Sequence, residues 1–173
     1  HAEPAAIHLA VGSTCTSAGL LVGLALAQRL GLGFRAVPRV VSVRVTPWPV
    51  TSAYRIVSLA ERTSALLAEL SGDPRALVSR TELRQGLEVD GRELGGGYGK
   101  ATRSGEEAIE LFAQVPGLRL DTSYSGKAAA SLLRAMREGA PGPRLFWSTK
   151  STAPLPPAPP PQSPALARWW AGG

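Results

Sequence analysis

Ile7-His8-Leu9-Ala10-Val11-Gly12-Ser13-Thr14-Cys15-Thr16-Ser17-Ala18-Gly19, running on through Leu20 to Leu30 (LLVGLALAQRL), sets the fold class. Residues 7–11 form a short apolar run that stops at Gly12, as a buried strand does. Thr16 to Leu30 is rich in Leu and Ala and apolar on nearly every face, which predicts a helix buried within a domain. Working outward, Val40 to Val45 (VVSVRV) is β-branched and reads as the next strand. Ser52 to Leu70 carries Tyr54, Val57, Leu59, Leu66, Leu67 and Leu70 at mixed spacings of three and four, a second helix. Further helices are expected over 104–115, where Ser104 and Glu107 have capping-box spacing, and over 126–137. Short strands are expected at 118–120 and 144–147. Strands alternating with helices at this spacing predict an α/β structure with a mostly parallel sheet flanked by helices. Ligands of such sheets bind beyond the carboxyl ends of the strands, so the loops beginning at Gly12, Thr46, Asp121 and Ser148 are the ones to watch.

The loop from Gly12 to Gly19 joins strand to helix through small and hydroxyl residues. A helix start offers free N–H groups and the positive end of a dipole, so this loop suits either side-chain capping or an anion such as phosphate. Neither GxxxxGK[ST] nor GxGxxG is present, which excludes the Walker and dinucleotide fingerprints. Cys15 could be read as a nucleophile at a helix start. However, the only histidines, His1 and His8, both precede it, so it is read as a small packing residue.

With 173 residues, 44% hydrophobic and 18% charged, the chain has enough apolar material for one core. A single cysteine excludes an internal disulfide framework and an all-cysteine zinc site, and no metal site is expected. No run approaches the roughly 18 apolar residues of a membrane span. The opening HAEPAA lacks the basic-then-apolar pattern of a secretory signal, and a cytoplasmic protein is expected. A net charge of +6 and a terminal Arg168-Trp169-Trp170 raise nucleic-acid binding, but basic residues are scattered among acidic ones, so none is expected. Seven of the fifteen prolines fall between Ser151 and Pro164. A compact domain over 1–150 followed by a Pro-rich tail without fixed structure over 151–173 is therefore expected.

The second half carries more specific signals. Tyr98-Gly99 is followed by Ser104-Gly105-Glu106-Glu107-Ala108-Ile109, then by Gly117-Leu118-Arg119-Leu120-Asp121-Thr122-Ser123-Tyr124-Ser125-Gly126-Lys127-Ala128, and finally by Leu145-Phe146-Trp147-Ser148-Thr149. In this order, with the loop at Gly12 to Leu20 before them, these segments resemble the C-terminal part of the pyridoxal-phosphate enzymes related to 1-aminocyclopropane-1-carboxylate deaminase and D-cysteine desulfhydrase. The resemblance implies part of the large domain of a tryptophan-synthase-β-like fold. It implies pyridoxal 5'-phosphate as cofactor, a small amino acid as substrate and a homodimer when intact. It assigns Gly12, Ser13, Thr14, Cys15 and Thr16 to the cofactor phosphate, Ser125 to the pyridine nitrogen, and Tyr124 and Tyr98 to the two active-site tyrosines. Lys127 matches the family's GKA lysine, a structural or carboxylate-binding charge and not the lysine that carries the cofactor.

Three departures matter. Thr14 and Cys15 replace paired glycines, Ser125 stands where the deaminase branch has glutamate, and Ser148-Thr149-Lys150 departs from HTGG. Ser125 favours the desulfhydrase side, where β-elimination gives an enamine that hydrolyses to a 2-oxo acid and ammonia. The chain begins at His1, its one methionine is Met136, and none of Lys100, Lys127 and Lys150 lies in the context of the family's cofactor lysine. The expectation is thus the C-terminal portion of an enzyme, inactive alone. The alternative is a non-catalytic domain that binds the cofactor or phosphate and has lost that lysine.

Overall fold

The computed structural model describes residues 3–149; the expected tail and Lys150 lie outside the described residues. Four parallel strands form one sheet: β1 (Ala6–Val11), β2 (Arg39–Arg44), β3 (Leu87–Asp90) and β4 (Arg144–Phe146), in the order β3-β2-β1-β4. Among the described residues five helices accompany them: α1 (Cys15–Arg29), α2 (Ala53–Ser71), α3 (Arg80–Gln85), α4 (Arg103–Phe112) and α5 (Ser125–Arg137), with a 3-10 turn at Pro74–Ala76. The α/β class expected from the sequence is the class observed.

All six residues of β1 are buried, because helices cover both faces of the strand. Alternation sends Leu9 and Val11 into a core with Leu21, Val22 and Ala25 of α1 and Ile56, Val57 and Ala60 of α2. Ala6 and Ala10 go to the opposite face, where they pack with Val41, Val43 and Ala128 of α5. A third cluster of Ala108, Ala129 and Ala130 joins α4 to α5. Burying such a face is worth about 25 cal/mol per Å² of apolar surface, so the sheet is held mainly by this double cover.

Several local expectations change. α1 is covered on one side only: Ser17, Ala18, Leu21, Val22 and Ala25 are buried, while Gly19 and Gly23 face solvent. Residues 118–120 are not a strand. Gly117 turns the chain with φ 78°, and Leu120 packs against the α4–α5 cluster instead of a sheet edge. The third strand is Leu87-Glu88-Val89-Asp90, which pairs in parallel with β2 from Val40↔Leu87 to Val43↔Asp90. The cap of α4 is Thr102, whose hydroxyl accepts from the Gly105 N–H, and not Ser104.

The strand order reverses direction at β1, since β2 and β3 lie on one side of it and β4 on the other. Such a reversal is where open parallel sheets place their ligands, beyond the carboxyl ends of the strands. The turn at Gly12 leaves β1 and the segment ending at Thr149 leaves β4 at that end of the sheet.

Candidate active site

β1 ends at Val11 and the chain turns into α1 at Gly12-Ser13-Thr14. Thr14 holds φ 72° and ψ −15°, a left-handed conformation that a β-branched residue rarely takes, and its side chain makes no capping bond. The first amide in the helical ladder is that of Ala18, which donates to the Thr14 carbonyl at 3.0 Å. The N–H groups of Cys15, Thr16 and Ser17 precede it and find no acceptor among the described residues. Ser13, Cys15 and Thr16 are exposed around them. Cys15 is thus not the packing residue expected: its position at the outer edge of the first turn leaves it facing solvent.

The turn is fixed from below. Thr51, fully buried, donates its hydroxyl to the Gly12 carbonyl at 2.9 Å, and Thr46 hydrogen-bonds to Thr51. Both come from the loop after β2, where the Trp48–Pro49 peptide is cis. Ser17 and Ser42 form a second buried pair at 2.8 Å, tying the first turn of α1 to β2. Sequence reasoning marked the loop at Thr46 but missed Thr51, which follows Pro47 and Pro49 and has no motif of its own.

Tyr124 lies over the turn: a Cβ on Gly12 would sit 3.5 Å from its ring. Tyr98 meets it from the glycine-rich loop, with the two hydroxyls 2.7 Å apart and the rings edge to face at 6.0 Å between centroids. The hydrogen bond with Tyr98, helped by burial, pushes the Tyr124 hydroxyl above the usual tyrosine range. Asp121 orders the start of α5: its carboxylate accepts from the N–H groups of Ser123 (2.9 Å), Tyr124 (2.8 Å) and Ser125 (3.2 Å). Burial alone would raise its pKa, but the Ser125 hydroxyl and these N–H groups outweigh that and hold it below the usual carboxylate range. An open depression of about 500 Å³ is lined by Asp121, Ser123, Tyr124 and Thr149.

The structure therefore brings together Gly12 and both tyrosines, with Ser13 to Thr16 beside them. Ser125 is different. It is 2% exposed, donates its hydroxyl to Asp121 Oδ2 at 2.6 Å and accepts from the Asp121 N–H at 2.7 Å. Its proton is committed to Asp121.

Behind the tyrosines lies a polar network that the sequence did not reveal. Lys127 is wholly buried, and its Nζ donates to the carbonyls of Leu94 (2.8 Å) and Gly97 (3.3 Å). Glu93 accepts from Ser104 at 2.6 Å and from Arg134 at 3.1 Å. Arg134 also reaches Asp90, which accepts from Ser131 at 2.7 Å and from Arg92 at 3.0 Å. Burial would raise the pKa of Asp90, yet the bonds from Arg92, Ser131 and Arg134 hold it well below the carboxylate range. His8 closes the network. Arg144 has only donors, so His8 Nε2 accepts from it at 2.9 Å, and Nδ1 must carry the proton that faces Ser131 Oγ at 3.2 Å.

The chain is 31% identical over 150 residues to nocardicin C-9' epimerase of Nocardia uniformis, covering 86% of this chain and 40% of that protein. It is 30% identical over 141 residues to a putative 1-aminocyclopropane-1-carboxylate deaminase of Pyrococcus furiosus, covering 82% and 37%. The crystal structure of an ACC deaminase homologue superposes with a TM-score of 0.61 at 26% identity, over 82% of this chain and 38% of that one. The resemblance is to ACC-deaminase-like proteins, at low identity. No family model matches. The chain spans about two fifths of the length of the relatives it matches. Among the described residues, no helix is long and apolar enough to cross a membrane.

Proposed function

We propose that these residues are the C-terminal portion of the large domain of a pyridoxal 5'-phosphate-dependent lyase or deaminase acting on a small amino acid. The reaction proposed is a D-cysteine desulfhydrase-like β-elimination to a 2-oxo acid and ammonia. One observation supports this above the rest. The N–H groups at the start of α1 find no acceptor among the described residues, and the ring of Tyr124, whose hydroxyl is paired with Tyr98, lies against Gly12 at the end of β1. That donor set fits the proposed cofactor: three backbone N–H groups and exposed hydroxyls suit a phosphate, and Gly12 leaves the ring of Tyr124 free to approach.

In this reading Gly12, Ser13, Thr14, Cys15 and Thr16 hold the phosphate, and Thr51 keeps their turn in place. When bound, pyridoxal phosphate supplies an electron sink for chemistry at the substrate α-carbon. Tyr124 holds a proton at its hydroxyl, kept there by Tyr98, and is the group suited to deliver or take one. Ser125 would be the residue facing the cofactor's ring nitrogen. With its hydroxyl hydrogen donated to Asp121, it would have no proton to offer that nitrogen unless it turned away from the carboxylate.

The lysine that carries the cofactor, a homodimeric assembly and a cytoplasmic setting belong to the same proposal. A second reading, a non-catalytic cofactor- or phosphate-binding domain, draws on the lysines. Lys127 is committed to loop carbonyls, and Lys100 is exposed in the loop carrying Tyr98. Calorimetric titration with 4'-deoxypyridoxine 5'-phosphate, which has ring and phosphate but no aldehyde, tests the cofactor site that the first reading requires. Tighter binding than inorganic phosphate is expected; equal binding favours a phosphate-only domain, and no binding of either overturns both.

A further inference from the structure

Lys127 is among the largest side chains of the chain that are fully buried. A buried ammonium is costly, and a Met of similar shape would serve packing as well or better. Among the described residues no carboxylate touches its charge directly: Nζ is spent on the carbonyls of Leu94 and Gly97, with Glu93 acting only at longer range. Burial pushes its pKa down, against the pull of Glu93.

The loop it grips has little conformation of its own. Gly95, Gly97 and Gly99 all have positive φ (59°, 123° and 72°), and Tyr98 sits between the last two. Glycines at such positions permit the turn without enforcing it. The loop's own bonds are long: Gly97 N–H to the Leu94 carbonyl and Lys100 N–H to the Gly97 carbonyl, each at 3.3 Å. Lys127 donates to both of those acceptors, and the Gly97 carbonyl belongs to the peptide group that leads into Tyr98. Tyr98 is itself 56% exposed, and the Tyr124 hydroxyl is its only side-chain hydrogen-bond partner among the described residues.

We propose that Lys127 is a positioning residue: it clamps the 94–97 turn from inside the domain and so holds the Tyr98 hydroxyl against Tyr124. This inference rests on the proposed role of the two tyrosines, but the geometry it claims can be read without cofactor or substrate. Tyr124 caps the start of α5 and Lys127 lies on its first turn, so one element presents one tyrosine and places the other.

The test is the ultraviolet titration of tyrosinate, for which the chain offers Tyr54, Tyr98 and Tyr124. Wild-type protein is expected to show one phase displaced to high pH, and Tyr98→Phe, which breaks the pair, defines its loss. Lys127→Met is expected to lose the displaced phase as Tyr98→Phe does, while far-ultraviolet circular dichroism stays native. A folded Lys127→Met variant that keeps the displaced phase overturns the proposal. Should Lys127→Met fail to fold, Lys127→Gln keeps a polar head but is too short to span both carbonyls, and the same loss is required of it. Failure of the cofactor reading would appear as absent binding of 4'-deoxypyridoxine 5'-phosphate and would leave this titration unchanged.

Discussion

Replacing Asp90 with Asn tests whether the buried network behind the tyrosines holds the sheet to α5. The Asp90 side chain is 1% exposed and accepts from Arg92, Ser131 and Arg134, the last being 21% exposed. Asn keeps the shape but turns one acceptor oxygen into a donor. Whichever way the amide is set, an N–H group then faces an N–H of Arg92 or Arg134. The cost is that of breaking a buried ion pair from one side, about 3–5 kcal/mol. For a chain of this size each kcal/mol lowers Tm by roughly 2–4 °C, so a fall of about 6–20 °C is expected in a circular-dichroism melt. Arg92→Gln is the control, because its side chain is 57% exposed; a loss under about 1 kcal/mol is expected there. An Asp90→Asn loss of less than about 1 kcal/mol would refute the reasoning.

Other perturbations follow from the same contacts. Burial and the neighbouring Arg144 lower the His8 pKa from 6.5 to about 4. A depressed value means that the stabilisation is present above the unfolded pKa and lost as pH falls from about 6.5 towards 4, a loss on the order of 3 kcal/mol. Proton NMR should place the imidazole midpoint near 4, and a midpoint above 6 contradicts this. Gly126→Ala puts a Cβ 2.8 Å from the Asp121 carbonyl and 2.9 Å from Ile109, which should cost about 1–3 kcal/mol in urea unfolding; a neutral result would mean that α4 and α5 are not closely packed. Thr51→Val removes the bond to the Gly12 carbonyl at constant shape. It should cost about 1–2 kcal/mol and weaken phosphate binding, whereas unchanged binding would detach Thr51 from the site.

What could be read from the sequence was what local pattern controls. The apolar run at Ile7–Val11, the Leu/Ala-rich helix after it and the helix expected over 126–137 each lie within a residue or two of their expected places. The third strand was not legible, because Leu87-Glu88-Val89-Asp90 has two apolar residues and two acids, and only the network at Asp90 makes its inner face polar. Leu118-Arg119-Leu120 shows the opposite failure: it alternates like a strand, but burying one leucine between two helices suffices for it. At the site, the small-residue loop and both tyrosines were legible as motifs. Thr51 was not, and Lys127 was legible only as the GKA lysine with its structural and carboxylate-binding readings both open, since their contacts depend on where β2 and the glycine-rich loop come to lie, and neither spacing nor composition encodes that.

The most direct test of the account is calorimetric titration of wild-type and Thr16→Glu protein with 4'-deoxypyridoxine 5'-phosphate. Thr16 is exposed in the first turn of α1, where an acidic side chain is favourable to the helix dipole, so the variant should fold at least as well. Its carboxylate would occupy the place proposed for the phosphate and repel it. The account predicts saturable one-to-one binding by the wild type that inorganic phosphate displaces and Thr16→Glu abolishes. Binding that survives Thr16→Glu, or no binding by the folded wild type, would contradict it.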